Sequence, residues 1–282
     1  MYGKLPTTSS TCQAQSTACN HSMTSLPKLF GTLMAISSSP SPVVRLHSLT
    51  CPKAKARNLR VLHIIRHAQG FHNVGNDYKN PDNIDAQLTP HGILQCKDLS
   101  QQLKEEELHV DAIISSPMRR ALQTAHHSFE HVFECQVKRK NTPFVACEHW
   151  RETVNYICDV RLPLSALSND FPSVDFGRIA HEHDPIWRFY EEKHGSLDDY
   201  QKVRESVDDE ALEKRARNAW KTIAERPEKE QSIAVVSHSA FFMHMFTRPE
   251  LGVVCYEDAG VEEFMSTGFE NCEMRSVAFE II

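Results

Sequence analysis

No Cys-x-x-Cys pair occurs in these 282 residues, although nine cysteines are scattered from Cys12 to Cys272. That excludes a zinc ribbon and a thioredoxin-like redox motif. An odd count, in a chain long enough to build its own core, points to reduced thiols in an intracellular protein rather than a disulfide scaffold. Long hydrophobic runs are also missing. Leu29–Ile36 and Ala240–Phe246 fall far short of the roughly 20 residues that a membrane span needs. Positive charge is not in excess: 31 Lys and Arg stand against 37 Asp and Glu, a formal net charge of -6. Broad electrostatic binding of nucleic acid or of an anionic membrane is therefore not expected. A glycine-rich phosphate loop is absent too. What is present, 40% hydrophobic and 24% charged residues, is enough for a folded core.

Acidic residues are missing from the first 76 positions, Asp77 being the first. Residues 1–58 carry Lys4, Lys28, Arg45, Lys53, Lys55 and Arg57 among many Ser and Thr. The run Ser37-Ser38-Ser39-Pro40-Ser41-Pro42 breaks any helix and buries no core. This is the composition of an organelle transit peptide or of a plain disordered tail. A secretory reading from Met23, with Lys28 ahead of the apolar run, lacks a small-x-small cleavage site. The expected division is a tail or transit peptide over 1–58 and a folded domain over 59–282. The expected compartment is cytoplasmic, or a plastid or mitochondrion if the tail is a transit peptide.

Beyond the tail, apolar patterning predicts strands alternating with helices. Val61-Leu62-His63-Ile64-Ile65 reads as a buried strand. Thr89-Pro90 supplies an N-cap and a first-turn proline for a helix reaching about Glu107, with Ile93, Leu94, Leu99 and Leu103 on one side. Further strands are predicted over 111–115, 144–147, 233–236 and 273–282, and helices over 117–131, 207–225 and 240–246. Residues 150–200, broken by Pro163, Pro172, Gly177, Pro185 and Gly195, read as an insertion that covers or lines a site. The alternation implies an α/β fold: a three-layer α/β/α sandwich around a mostly parallel central sheet.

Ligands of such sheets bind beyond the carboxyl ends of the strands. One strand ends in Arg66-His67, a second in Ser115-Ser116-Pro117-Met118-Arg119-Arg120, and a late one in Ser237-His238-Ser239. Arginines and two imidazoles would converge at one edge of the sheet. Guanidinium forks match phosphate oxygens. A neutral imidazole can attack phosphorus and hold a phosphoryl group. Positive donors stabilise charge on the equatorial oxygens, and a carboxylic acid must protonate the leaving alkoxide. Because guanidinium supplies the charge, neither a metal nor a cofactor is expected.

These residues resemble the histidine phosphatase superfamily, the phosphoglycerate mutase-like proteins. The resemblance rests on Ile65-Arg66-His67-Ala68-Gln69-Gly70-Phe71-His72-Asn73-Val74, on Asp85-Ala86-Gln87-Leu88-Thr89-Pro90-His91-Gly92, on Ser115 to Ala125, and on Val235-Val236-Ser237-His238-Ser239. It covers roughly residues 59–282 and looks closest to the plant and fungal phosphoglycerate mutase-like phosphatases. It implies that His67 becomes phosphorylated, that Arg66 and Arg120 bind phosphate, and that Asn73 and His238 lie beside the phosphate. His238 is also implied in catalysis, and Glu152 as the proton donor. Three departures favour phosphatase over mutase chemistry. Ala68 replaces the usual glycine. Gln69-Gly70 and His72-Asn73 replace Glu-Ser and Trp-Asn. Thr153-Val154-Asn155-Tyr156 stands where mutases carry His-Tyr-Gly.

The reading is a metal-independent phosphomonoesterase acting on a small phosphorylated substrate through a phosphohistidine, without nucleic-acid or membrane partners. One alternative is a mutase; another is a non-catalytic phosphate-binding or interaction module. Plainer readings serve elsewhere. His181-Glu182-His183-Asp184 is taken as a solvated loop rather than metal ligands. Trp187, Phe189 and Tyr190 pack the insertion, and the charges of 205–217 form a solvated helix face. Either Glu148 or Glu152 could reach the pocket, and Glu152 is favoured as the acid. On this reading, removal of residues 1–55 leaves folding and activity intact.

Overall fold

The computed structural model describes residues 44–134, 142–196, 204–205, 210–248 and 253–282. There the chain runs β1 (Val44–His47), α1 (Pro52–Ala56), β2 (Arg60–Arg66), α2 (Pro90–Glu105), β3 (Ala112–Ser115), α3 (Arg119–Ser128), α4 (Glu130–Glu134), β4 (Phe144–Ala146), α5 (Leu164–Asp170) and α6 (Pro185–His194). It continues as α7 (Glu210–Ala224), β5 (Ser232–Ser237), α8 (Ser239–Phe246), β6 (Val254–Tyr256), α9 (Ala259–Ser266) and β7 (Met274–Ile281).

The strands form one sheet in the order β4-β3-β5-β2-β7-β1-β6. Strand β7 runs antiparallel to β2 and β1, and the other neighbours pair in parallel. Because side chains alternate along a strand, the central strands feed two cores. Ile64, Ile114, Ile233 and Val235 pack with Trp150, Trp220, Phe241 and Phe246 on the side of α7 and α8. Ile65, Ile113, Ala234 and Val236 pack with Leu99, Leu103, Leu122 and Phe129 of α2, α3 and the turn after it. A helix layer therefore lies on each face, which gives the expected α/β/α sandwich. His63 is tolerated inside β2 because Ser276 Oγ and Ser232 Oγ meet its two ring nitrogens at 2.8 and 3.0 Å. Burial lowers its pKa to about 4.

Helix α2 begins as its sequence demands: Thr89 Oγ1 accepts the Gly92 N–H at 3.0 Å, and Pro90 occupies the first turn. Gly92 is required there, since a Cβ would lie 2.2 Å from the Gln69 carbonyl oxygen. The buried face of α2 is the expected one at Leu99 and Leu103, with Ile93 packed against the same core, and departs from it at Leu94. Cys96, Leu99, Ser100 and Leu103 point inward, whereas Leu94 is exposed. The segment read as one helix over 117–131 begins at Arg119 and is divided between α3 and α4.

The expected boundary at residue 58 is wrong. Strand β1 pairs in parallel with β6 and antiparallel with β7, and Val44 and Leu46 are fully buried. Helix α1 follows, so residues 44–58 belong to the folded body and not to a tail. The part of the tail reading that covers residues 1–43 lies outside the described residues. Strand β6 and helix α9 were not expected either. The six cysteines among the described residues are unbonded, and no helix among those residues is long and apolar enough to cross a membrane.

With β1 removed, β7 loses a neighbour and β6 its partner, so deletion of residues 1–55 should unfold the chain instead of sparing it. Leu46→Ala should lower stability by about 2–5 kcal/mol through the cavity it leaves. Urea midpoints of the full chain, the truncation and the variant check this; an unchanged midpoint for the truncation would show β1 to be dispensable.

Candidate active site

Three strand ends deliver the site. Arg66 closes β2 opposite Ser237 of β5, and the His67 N–H donates to the Ser237 carbonyl at 2.9 Å. The Ser116 N–H donates to the Val236 carbonyl at 2.9 Å, which sets the turn from β3 into α3 and its Arg120 beside them. His238 is the N-cap residue of α8. In front of these ends lies a cavity of about 360 Å³, of small-molecule size. Arg66, His67, Asn73, Arg120 and Glu152 line it, as do His72 and Asp159.

The His67 ring has a fixed tautomer. Its Nδ1–H donates to the Ala68 carbonyl at 2.8 Å, which leaves Nε2 as the unprotonated nitrogen. Burial, followed by the Arg120, His72 and Arg66 charges, holds this imidazole well below its ordinary pKa. Arg66 donates from Nη1 to the Phe269 carbonyl at 2.6 Å, while its Nε is buried without a partner. Arg120 is almost wholly buried. It donates to His238 Nδ1 at 3.3 Å, to the Cys158 carbonyl at 2.7 Å and to Asp159 Oδ1 at 3.1 Å. Its neighbour Arg119 turns elsewhere, with Nε on the Asp85 carbonyl at 2.8 Å. Asn73 Oδ1 accepts the Gly70 N–H at 3.0 Å, which closes the turn that carries both His72 and Asn73 to the cavity.

His238 sits differently from the implied phosphate contact. Its ring centroid is 5.0 Å from that of His67, but Nδ1 accepts from Arg120 and Nε2–H donates to Ser116 Oγ at 2.8 Å. Both nitrogens are used within the protein, and the residue is not among those lining the cavity. In this arrangement it backs His67 and orients Arg120.

Glu152 lines the cavity and Glu148 does not. Glu148 pairs with Arg151 at 3.2 Å and Arg161 at 2.6 Å. Glu152 accepts the N–H groups of Thr153 and Phe241 at 2.8 Å and of Ala240 at 3.3 Å, so it caps the start of α8. Burial, then the nearby Asp159 charge, raises its pKa. These are the properties of a carboxyl that can hold a proton beside a leaving group.

The segment bearing Glu152 is clamped by charges that the sequence reading placed in solvent. Arg215 of α7 donates to the Arg151 carbonyl at 2.6 Å and the Glu152 carbonyl at 3.2 Å, and pairs with Glu205 at 2.7 Å. Both Arg215 and Glu205 are buried, because Glu205 also accepts the Val154 N–H at 2.7 Å. The solvated-face reading therefore fails at these two positions. Asp184 is likewise no loop charge: it takes both Arg151 Nη atoms at 2.6 and 2.7 Å and caps α6. Trp187 lies under the Arg204 guanidinium at 4.4 Å, and Tyr190 is buried, so this aromatic group is packed within the insertion. His72 and Asp159 were missed as site residues. His72 stood inside the quoted motif beside Asn73, and Asp159 had no local signal beyond an acid after Cys158.

Comparisons with known proteins bear on these motifs. A sequence profile of the Histidine phosphatase superfamily (branch 1) matches residues 62–141. A "Phosphoglycerate mutase-like protein" of Arabidopsis thaliana is 31% identical over 246 residues, covering 77% of this chain and 83% of its own. "Phosphoglycerate mutase-like protein 1" of the same plant is 30% identical over 246 residues, covering 77% and 80%. A "Probable phosphatase" of Schizosaccharomyces pombe is 29% identical over 128 residues, 45% of this chain and 56% of that one. With two such relatives matched over most of their length, the chain belongs to the histidine phosphatase superfamily.

Proposed function

We propose that the chain is a phosphomonoesterase that works through a phosphohistidine on His67 and requires no metal. The observation that carries this reading is the tautomer of His67. Its Nδ1 proton is committed to the Ala68 carbonyl, so the Nε2 lone pair is available in a cavity that Arg66 and Arg120 also line. The Nε2 lone pair attacks phosphorus, the phosphorus–oxygen bond breaks, and the leaving alkoxide takes its proton from Glu152. Ionised Glu152 then takes a proton from water as the water oxygen attacks the phosphohistidine, and the phosphorus–nitrogen bond breaks. The two guanidiniums carry the charge on the equatorial oxygens. A mutase differs in returning the phosphoryl group to a second substrate hydroxyl; isomerisation of phosphoglycerate separates the two.

His67→Ala should abolish turnover. Labelled phosphate trapped on the wild-type chain and worked up in alkali should map to His67; label on a serine or cysteine would sink the mechanism. Activity should survive a chelator, and loss with rescue by a divalent ion would remove the metal-independent reading.

Glu152→Gln should slow alkyl phosphates by roughly a hundredfold or more and 4-nitrophenyl phosphate much less. The pH profile supplies the sign. A raised carboxyl pKa keeps the acid protonated to higher pH, so alkyl phosphate turnover falls as pH rises through that pKa. The alkaline limb should vanish in Glu152→Gln. An unchanged limb would assign the proton donor elsewhere.

Asp159→Asn should raise KM more than it lowers kcat, because it frees Arg120 from its carboxylate partner and loosens its aim. The ratio of the two changes is the measurement, and an effect on kcat alone would place Asp159 in the chemical step.

A further inference from the structure

A row of rings leads outward from the nucleophile. The His67 and His72 centroids are 5.4 Å apart, those of His72 and Tyr78 6.0 Å, and those of Tyr78 and Tyr156 5.1 Å. All four residues line the cavity. Exposure rises along the row, from 2% at His67 and 4% at His72 to 41% at Tyr156. The Tyr78 hydroxyl is engaged by Asn76 Oδ1 at 2.8 Å. Met243, half-exposed, adds apolar surface to the same cavity. The wall beyond the phosphoryl position thus carries two tyrosine rings, tilted 31° to each other, and a methionine.

The charges point the same way. Among the described residues lining the cavity, the cations are Arg66 and Arg120, and both belong to the phosphoryl position. Arg120 is already paired with the Asp159 carboxylate at 3.1 Å. The start of α8 is a natural place for a second anion, but its Ala240 and Phe241 amides are taken by Glu152. A carboxylate or second phosphate on the substrate would therefore find, among the described residues lining the cavity, no cation beyond the two that hold the phosphoryl group.

We propose that this site selects phosphomonoesters whose leaving group is an uncharged alcohol or phenol with an aromatic face, seated along Tyr78 and Tyr156. Glycerate-type leaving groups, which carry their own negative charge, are disfavoured. The inference rests on the phosphatase reading above and names its substrate class. Stacking on aromatic side chains supplies the attraction, and a second anion taken out of water without a cation beside it supplies the rejection.

The test compares alkyl esters, so that leaving-group acidity does not decide the result. The full chain is assayed on benzyl phosphate, glycerol 3-phosphate and 3-phosphoglycerate, with 4-nitrophenyl phosphate as a control. Benzyl phosphate should exceed glycerol 3-phosphate in kcat/KM about tenfold or more, and 3-phosphoglycerate should be the poorest. Tyr156→Ala should shrink the benzyl-to-glycerol ratio at least fivefold, mainly through KM, and Tyr156→Phe should retain it. Phosphoglycerate turnover equal to that of benzyl phosphate, or a ratio unmoved by Tyr156→Ala, would overturn the proposal while leaving the phosphatase standing. Failure to hydrolyse any of the four, 4-nitrophenyl phosphate included, would overturn the phosphatase reading itself.

Discussion

A guanidinium taken out of water must have an anion beside it, and around this cavity that requirement is met four times. Arg120, Arg151, Arg161 and Arg215 are all buried, and they pair with Asp159, Asp184, Glu148 and Glu205 respectively. Removing one member of such a pair strands the other charge, at a cost of about 3–5 kcal/mol. The pairs tie the insertion after β4 to the strand ends. Asp159 holds the segment 155–159 against α3 through Arg120. Asp184 draws the start of α6 to Arg151, next to Glu152. Arg215 and Glu205 grip the backbone on either side of Glu152. The position of Glu152, the proposed acid, thus depends on cations that cannot be left alone as well as on its own contacts.

His67, the proposed nucleophile, depends on the same cluster in the opposite sense. Burial, then nearby positive charge, keeps His67 neutral, which preserves the lone pair that a protonated ring would lose. The sheet supplies the remaining precision. Parallel pairing of β2 with β5 fixes Arg66 opposite Ser237, so His67 and His238 leave adjacent strands at the same level. His238, with both nitrogens occupied, transmits that register to Arg120. Arg66, His67, Arg120 and His238, from three distant parts of the sequence, are therefore brought together by one hydrogen-bond ladder.

How much of this was legible follows from how local each signal is. The ends of β2, β3 and β5 could be read because a β-branched run followed by charged and imidazole residues is a short-range pattern. Thr89-Pro90 could be read because an N-cap is written in adjacent residues. Strand β1 could not. Val44 to His47 sits in a Ser-rich basic stretch, and what makes it a strand is pairing with β7 and β6, more than 200 residues away. Arg215 and Glu205 were misread because charge pattern on a helix says nothing about whether another element covers it. Asp159 became visible only when Arg120 did, since a buried carboxylate is recognised by its partner.

In the proposed reaction, the cavity's protonation is governed by its occupant. Burial, followed by the Arg120 and Arg66 charges, lowers the His72 pKa to about 2. A phosphoryl group brings a charge near −2 between the arginines. That charge opposes ionisation of Glu152, which burial already resists, so the acid arrives at the transition state with its proton. Once the alcohol has taken that proton and departed, Glu152 is left ionised beside the phosphohistidine. The same carboxylate is then suited to accept a proton from the attacking water. Acid becomes base through the course of the reaction alone, and the clamped backbone around Glu152 has no need to move.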